Sequence, residues 1–130
     1  MALSPKGARG VWQLMPETAR RYGLAVSDVL DERLDVEKST RAAALYFRDL
    51  YQQFGEWQLA FAAYNAGEQA VGRAVARAGQ RDFTSVRDAL SSETRNYVPA
   101  VREAIKRLQK SDFGSRSRVI YAFVGRDGCQ

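Results

Sequence analysis

The fold class that the sequence predicts is all-α, a single domain of about six helices. Three observations predict it. Apolar residues recur at three- and four-residue steps through most of the chain, no run of four to eight residues alternates cleanly in the strand manner, and Gly23, Gly55 and Gly67 close successive helical patterns. At 130 residues, 45% hydrophobic and 27% charged, the chain has a globular balance and enough length to bury one core without staples.

The elements follow in order. Pro16 suits the first position of a short helix, "PETARRYG", which Gly23 closes, because proline has no N–H to lose there. Asp35 is an N-cap for a longer helix in which Ala43, Tyr46, Phe47, Leu50 and Phe54 form one face, and Gly55 stops it. "EWQLAFAAYNAG" is so dense in alanine and large apolar residues that it should be buried on most sides, ending at Gly67. Residues 68–78 read as an amphipathic helix through Ala70, Val71, Ala74, Val75 and Ala78, with Arg73 and Arg77 outside the stripe. Ser92 is the expected cap of a last helix running from Glu93 toward Leu108, with Pro99 kinking it or splitting it in two. After Lys110, "SDFGSRSRVIYAFVGRDGCQ" surrounds one apolar patch, Val119 to Val124, with Gly and Ser; the patch reads as a strand or as a short docking helix. No repeat, low-complexity tract or linker interrupts the chain, so the expected organisation is one domain over 1–110 and a divergent tail over 111–130.

Composition excludes several chemistries. No apolar run approaches the roughly 20 residues that span a bilayer, and no basic-then-apolar secretion signal opens the chain. Read alone, the sequence predicts neither export nor anchoring, hence a cytoplasmic protein. Cys129 stands alone and histidine is absent, which removes an internal disulfide, a thiol-and-imidazole metal site, Ser/His and Cys/His pairs and the HExxH helix. There is no Walker-type phosphate loop either, and no metal or cofactor is expected. Carboxylate chemistry or binding remains.

The formal charge of +5 is lopsided: residues 1–65 carry eight Lys/Arg and eight Asp/Glu, residues 66–130 twelve and seven. A basic surface suits a polyanion, whether nucleic acid, anionic lipid or a wall polymer bearing peptide carboxylates; a solvated face is the plainer reading.

Three stretches, "SPKGARGVWQLMPETA", "AFAAYNAGEQAV" and "ETRNYVPAV", resemble in order and spacing the later motifs of the lytic transglycosylases, goose-type-lysozyme-like enzymes that cleave peptidoglycan. The linking "DVEKSTRAAALYFRDLYQQFG" and "RAGQRDF" are most similar to the branch called membrane-bound lytic murein transglycosylase D. The resemblance runs from residue 3 to about 105 and implies a lysozyme-like helical domain, a peptidoglycan glycan strand as partner, and a place in the periplasm or cell envelope. It also implies roles for individual residues. Gln13 would line the sugar groove, Tyr64 and Asn65 would lie at the cleft floor near N-acetylmuramic acid, and Glu93 and Tyr97 would belong to a supporting helix whose tyrosine can reach the acid.

Each residue also has an ordinary reading. Gln13 fits an exposed helix position, and Asn65 fits the end of a helix. Tyr64 and Tyr97 fit core aromatics with surface hydroxyls, and Glu93 fits a first-turn charge favouring the helix dipole.

In the family the proton donor is a glutamate in a pattern such as "ESxFxPxAxSPxGA", nine residues before the serine aligned with Ser4, which falls ahead of Met1. The resemblance therefore predicts no catalytic residue within this sequence and a domain lacking its first, catalytic helix, either because the start was placed late or because the chain is a remnant. Glu17, Glu68 and Glu93 are poor substitutes, since acid catalysis demands hydrogen-bond reach to one leaving oxygen. The rival expectations are a non-catalytic wall-binding or scaffold module, and a basic helical nucleic-acid binder, the latter weakened by the lack of a helix-turn-helix signature. Oligomeric state has no signature in the sequence.

Overall fold

A computed structural model describes residues 7–110. Among them lie six α-helices: α1 (Pro16–Arg21), α2 (Val36–Phe54), α3 (Trp57–Ala66), α4 (Glu68–Ala78), α5 (Phe83–Val86) and α6 (Ser92–Lys110). Two single 3-10 turns, Glu32–Leu34 and Arg87–Ala89, and two isolated β-bridges complete the regular structure of the described residues. The all-α expectation is met. The chain divides into two compact units between Tyr46 and Phe47, a boundary that falls inside α2.

In the first unit, proline opens α1 and Ala19 is its buried residue. The helix ends in a Schellman arrangement: Leu24 N–H donates to Ala19 O at 3.0 Å and Gly23 N–H to Arg20 O at 3.0 Å, with Gly23 at φ +89°. The expected Asp35 cap is present, its Oδ1 accepting from Lys38 N–H at 2.9 Å. Along α2 in this unit, Ala42, Ala43 and Tyr46 are buried, and the Tyr46 ring lies 5.6 Å from that of Tyr22, with the Arg21 guanidinium over both.

In the second unit, Phe47, Leu50 and Phe54 continue the α2 face into a buried position. α3 is enclosed as its composition predicts, with Leu59, Ala60, Phe61, Ala62 and Ala63 all buried, and it packs against α4 and α6. Small side chains at Ala60, Ala62 and Ala63 suit a helix surrounded on most sides. α4 buries Val71 and Ala74 and leaves Arg73 and Arg77 exposed, as expected, with Ala78 exposed at its end.

One expectation changes, and one of two alternatives falls away. Ser91, not Ser92, caps α6: its Oγ accepts from Thr94 N–H at 3.3 Å and its carbonyl oxygen from Arg95 N–H at 2.9 Å. An N-cap hydroxyl reaches the N–H two or three residues on, and with Ser92 already helical that place belongs to Ser91. Pro99 does not split α6, which runs unbroken over 19 residues. Thr94 and Val98, both buried, anchor the turns before the proline.

α5 has no counterpart among the expected helices; four residues are too few for a periodic signal. It forms because Asp82 Oδ1 accepts from Ser85 N–H at 2.8 Å and Glu56 Oε1 from Phe83 N–H at 2.9 Å. The apolar patch Val119–Val124 lies outside the described residues.

Candidate functional site

Gln13 stands in the first unit, in the turn between Arg9 and Leu14 that the bridge of these two residues closes. It is exposed but not helical. Its φ of +51° is the one positive value at a non-glycine residue among those described. A left-handed conformation at such a residue costs about 1–2 kcal/mol, so the surroundings must impose it. They do: the Gly10 carbonyl oxygen accepts both from Gln13 N–H at 3.2 Å and from Gln13 Nε2 at 2.8 Å.

Gly10 is in turn pressed on Arg33, whose carbonyl oxygen would lie 2.2 Å from a Cβ at that position. The Arg33 side chain is 5% exposed, and each of its three nitrogens has an acceptor. It donates to Asp31 through Nε (2.9 Å) and Nη2 (2.7 Å), and through Nη1 to the carbonyl oxygens of Gly7 (2.8 Å) and Leu14 (3.0 Å). Asp31 also accepts from Arg9 Nη1 at 3.2 Å. The Arg33 side chain above all, helped by the Arg33 backbone N–H and opposed by burial, lowers the Asp31 carboxyl from its ordinary 3.8 to about 2. Trp12 Nε1 donates to Thr40 Oγ1 at 2.7 Å and ties the same loop to α2. The segment carrying Gln13 is thus clamped at both its backbone and its flanks.

The other four candidates lie in the second unit, on α3 and α6. Asn65 Nδ2 donates to Glu93 Oε2 at 3.1 Å, joining residues 28 apart in sequence. Asn65 Oδ1 accepts from Thr94 Oγ1 at 2.8 Å, and Thr94 Oγ1 lies 3.1 Å from Ser91 Oγ. Tyr64, beside Asn65 at the end of α3, stacks on Phe47 with centroids 4.2 Å apart and planes within 2°. Tyr97 follows Glu93 by one helical turn on α6 and is half-buried. Burial raises its phenol above the ordinary range, so it stays protonated and a donor at neutral pH.

The structure brings Asn65 and Glu93 into contact, with Tyr64 and Tyr97 on the same two helices. Sequence reasoning missed Ser91, Thr94, Asp31 and Arg33. The first two carry a signal in "SSETR", where Ser and Thr stand at the three-residue spacing of a cap; the burial of Arg33 has none. A shallow hollow of about 220 Å³ in the first unit, lined by residues including Tyr22, Leu24, Lys38 and Leu45, shares no member with the candidates. Among the described residues no group of three His, Cys, Asp or Glu side chains is placed to hold a metal ion, and no helix is long and apolar enough to cross a membrane.

The family model of the transglycosylase SLT domain matches residues 1–86. The chain belongs to this family. The SLT domain here is 43% identical over 103 residues to membrane-bound lytic murein transglycosylase D of Escherichia coli K12, covering 75% of this chain and 22% of that protein. It is 36% identical over 102 residues to a putative tributyltin chloride resistance protein of Alteromonas sp. strain M-1, covering 78% and 49%. To the soluble lytic murein transglycosylase of E. coli K12 it is 34% identical over 105 residues, covering 75% and 16%. The chain spans about a fifth of the first relative's length and half of the second's. The likeness to lytic transglycosylases expected from the three motifs is borne out.

Proposed function

We propose that this SLT domain, residues 1–110, binds peptidoglycan glycan strands in the cell envelope and serves cleavage of the bond between N-acetylmuramic acid and N-acetylglucosamine. The observation that carries the reading is the 3.1 Å contact between Asn65 and Glu93. It joins two of the sequence motifs through an amide and a carboxylate, the groups that recognise acetamido and hydroxyl functions of a sugar.

In the proposed reaction a glutamate of the kind that the family uses as proton donor protonates the leaving glycosidic oxygen as the C1–O bond breaks. The carbonyl oxygen of the muramic N-acetyl group bonds to C1 from the opposite face. The sugar's own C6 hydroxyl then displaces it, returning the proton to the glutamate and leaving a 1,6-anhydro sugar, with no water consumed. The described residues supply binding and orientation. Asn65 and Tyr64 steady the acetamido group, Tyr97 offers a neutral phenol donor, and Glu93 orders Asn65.

Sedimentation with purified peptidoglycan tests the reading. The chain is expected in the pellet, and Asn65→Ala is expected to weaken retention about tenfold, the loss of a hydrogen bond to the acetamido group. A form extended at the N-terminus by the Glu-Ser motif should release anhydromuropeptides, read by mass spectrometry. Failure of both to bind, with folding intact by circular dichroism, would overturn the proposal. Retention without release from the extended form would leave a binding module instead.

A further inference from the structure

Beneath Asn65 lies a hydroxyl that no ligand can reach. Thr94 is 1% exposed, on the first turn of α6, and its Oγ1 is within hydrogen-bond distance of Ser91 Oγ and Asn65 Oδ1 at once. The direction of these bonds is set at the outer end and permitted at the inner one. At the inner end the Thr94 backbone N–H, which can only donate, occupies Ser91 Oγ at 3.3 Å. The Ser91 proton is then free to point at Thr94 Oγ1, and the Thr94 proton at Asn65 Oδ1. At the outer end Glu93 Oε2, an acceptor while ionised, faces the Asn65 amide nitrogen at 3.1 Å. Turning the amide over would set two acceptor oxygens against each other there. The outer end therefore selects one orientation, carbonyl inward and NH2 outward, and the inner hydroxyls accommodate it.

That orientation matters because the last torsion of asparagine is broad and two-fold, so an unheld amide presents its oxygen or its nitrogen to a ligand. One amide hydrogen goes to Glu93; the other meets no acceptor among the described residues. We propose that Thr94 is a positioning residue, which holds the Asn65 carboxamide so that this second N–H faces outward to an acceptor oxygen of the ligand, the carbonyl of an acetamido group. The inference rests on the glycan-binding reading of the site. It adds that Thr94 fixes which face Asn65 offers to the acetamido group, without itself touching substrate.

The full chain and its Thr94→Val, Thr94→Ser and Ser91→Ala variants test this, with a β-1,4-linked N-acetylglucosamine tetramer and its de-N-acetylated counterpart as probes. Binding is read by titration calorimetry, and the Asn65 side-chain NH2 pair by nitrogen-edited NMR. The parent should prefer the acetylated tetramer and show two resolved NH2 signals, the one held by Glu93 better protected from exchange than the other. Thr94→Val should lose about tenfold in affinity for the acetylated probe and much of its preference, with the NH2 pair shifted and less protected. Thr94→Ser, which keeps the hydroxyl, should stay within about threefold of the parent. Ser91→Ala perturbs the chain from an exposed position and should shift the same pair even where Thr94→Val fails to fold. An unchanged NH2 pair in Ser91→Ala and in folded Thr94→Val would overturn the positioning role, as would loss of affinity in Thr94→Ser equal to that in Thr94→Val. A parent chain that binds neither tetramer fails the glycan reading instead, and the NMR signals still decide the orientation.

Discussion

Gly10 has φ at +83° and no room for a Cβ, which would meet the Arg33 carbonyl oxygen at 2.2 Å. Because the clashing atom is backbone, an added methyl group must move the loop rather than a flexible side chain. Gly10→Ala is expected to destabilise by about 2–4 kcal/mol in thermal unfolding and to release Gln13 from its left-handed conformation. Asp31 and Arg33, 8% and 5% exposed, hold the same loop from beneath. A carboxylate whose folded pKa is lowered stabilises the fold above its unfolded value and loses that contribution as pH falls through the folded one. With 3.8 and about 2 as the two values, Asp31 contributes about 2 kcal/mol at neutral pH, lost progressively from about pH 4 to pH 2. Urea midpoints measured across that range should fall for the parent. In Asp31→Asn the step should be much smaller on a stability already reduced by about 3–5 kcal/mol, since Arg33 is left buried without its counter-charge. Gln13 was visible in the sequence through its motif. Its backbone conformation was not, because that is imposed by Gly10 and Arg33, and the latter lies 20 residues downstream.

Element by element, what the sequence shows best is what local chemistry controls. The proline start of α1, the Asp35 cap and the enclosed character of α3 are each carried by residues within one or two turns of the feature. The start of α6 is the instructive error, because two adjacent serines are equivalent as local signals. The choice falls on Ser91, whose hydroxyl meets both Thr94 N–H and Thr94 Oγ1, and Thr94 is buried and reaches Asn65 on α3. Tertiary packing selects between two caps of equal propensity. Ser91→Ala should cost about 1 kcal/mol in urea unfolding and Ser92→Ala less than about 0.5 kcal/mol, and equal effects would contradict the assignment. The short α5 belongs with this case, since one of its N-terminal N–H groups is satisfied by Glu56, which precedes α3.

Across the whole molecule, the charge of +5 arises entirely after residue 65. A wall polymer whose stem peptides end in free carboxylates would complement it. Retention on such peptidoglycan should fall about three- to tenfold between low and moderately high salt, and amidated peptidoglycan should show a flatter salt dependence. Sedimentation at several salt concentrations measures this, and DNA at equal charge concentration should not displace the polymer. An effective DNA competitor would revive the nucleic-acid reading that the charge alone left open.

The longer helices, the all-α class and the family likeness were determined by the order of residues, because helical periodicity and motif spacing are short-range along the chain. The tertiary structure alone decided which serine caps α6, that Gln13 sits in a left-handed turn, and that a buried Thr94 hydroxyl lies between Ser91 and Asn65. Those outcomes depend on hydrogen bonds between groups about 20 to 30 residues apart, and a buried polar atom finds its partner only once packing has excluded water.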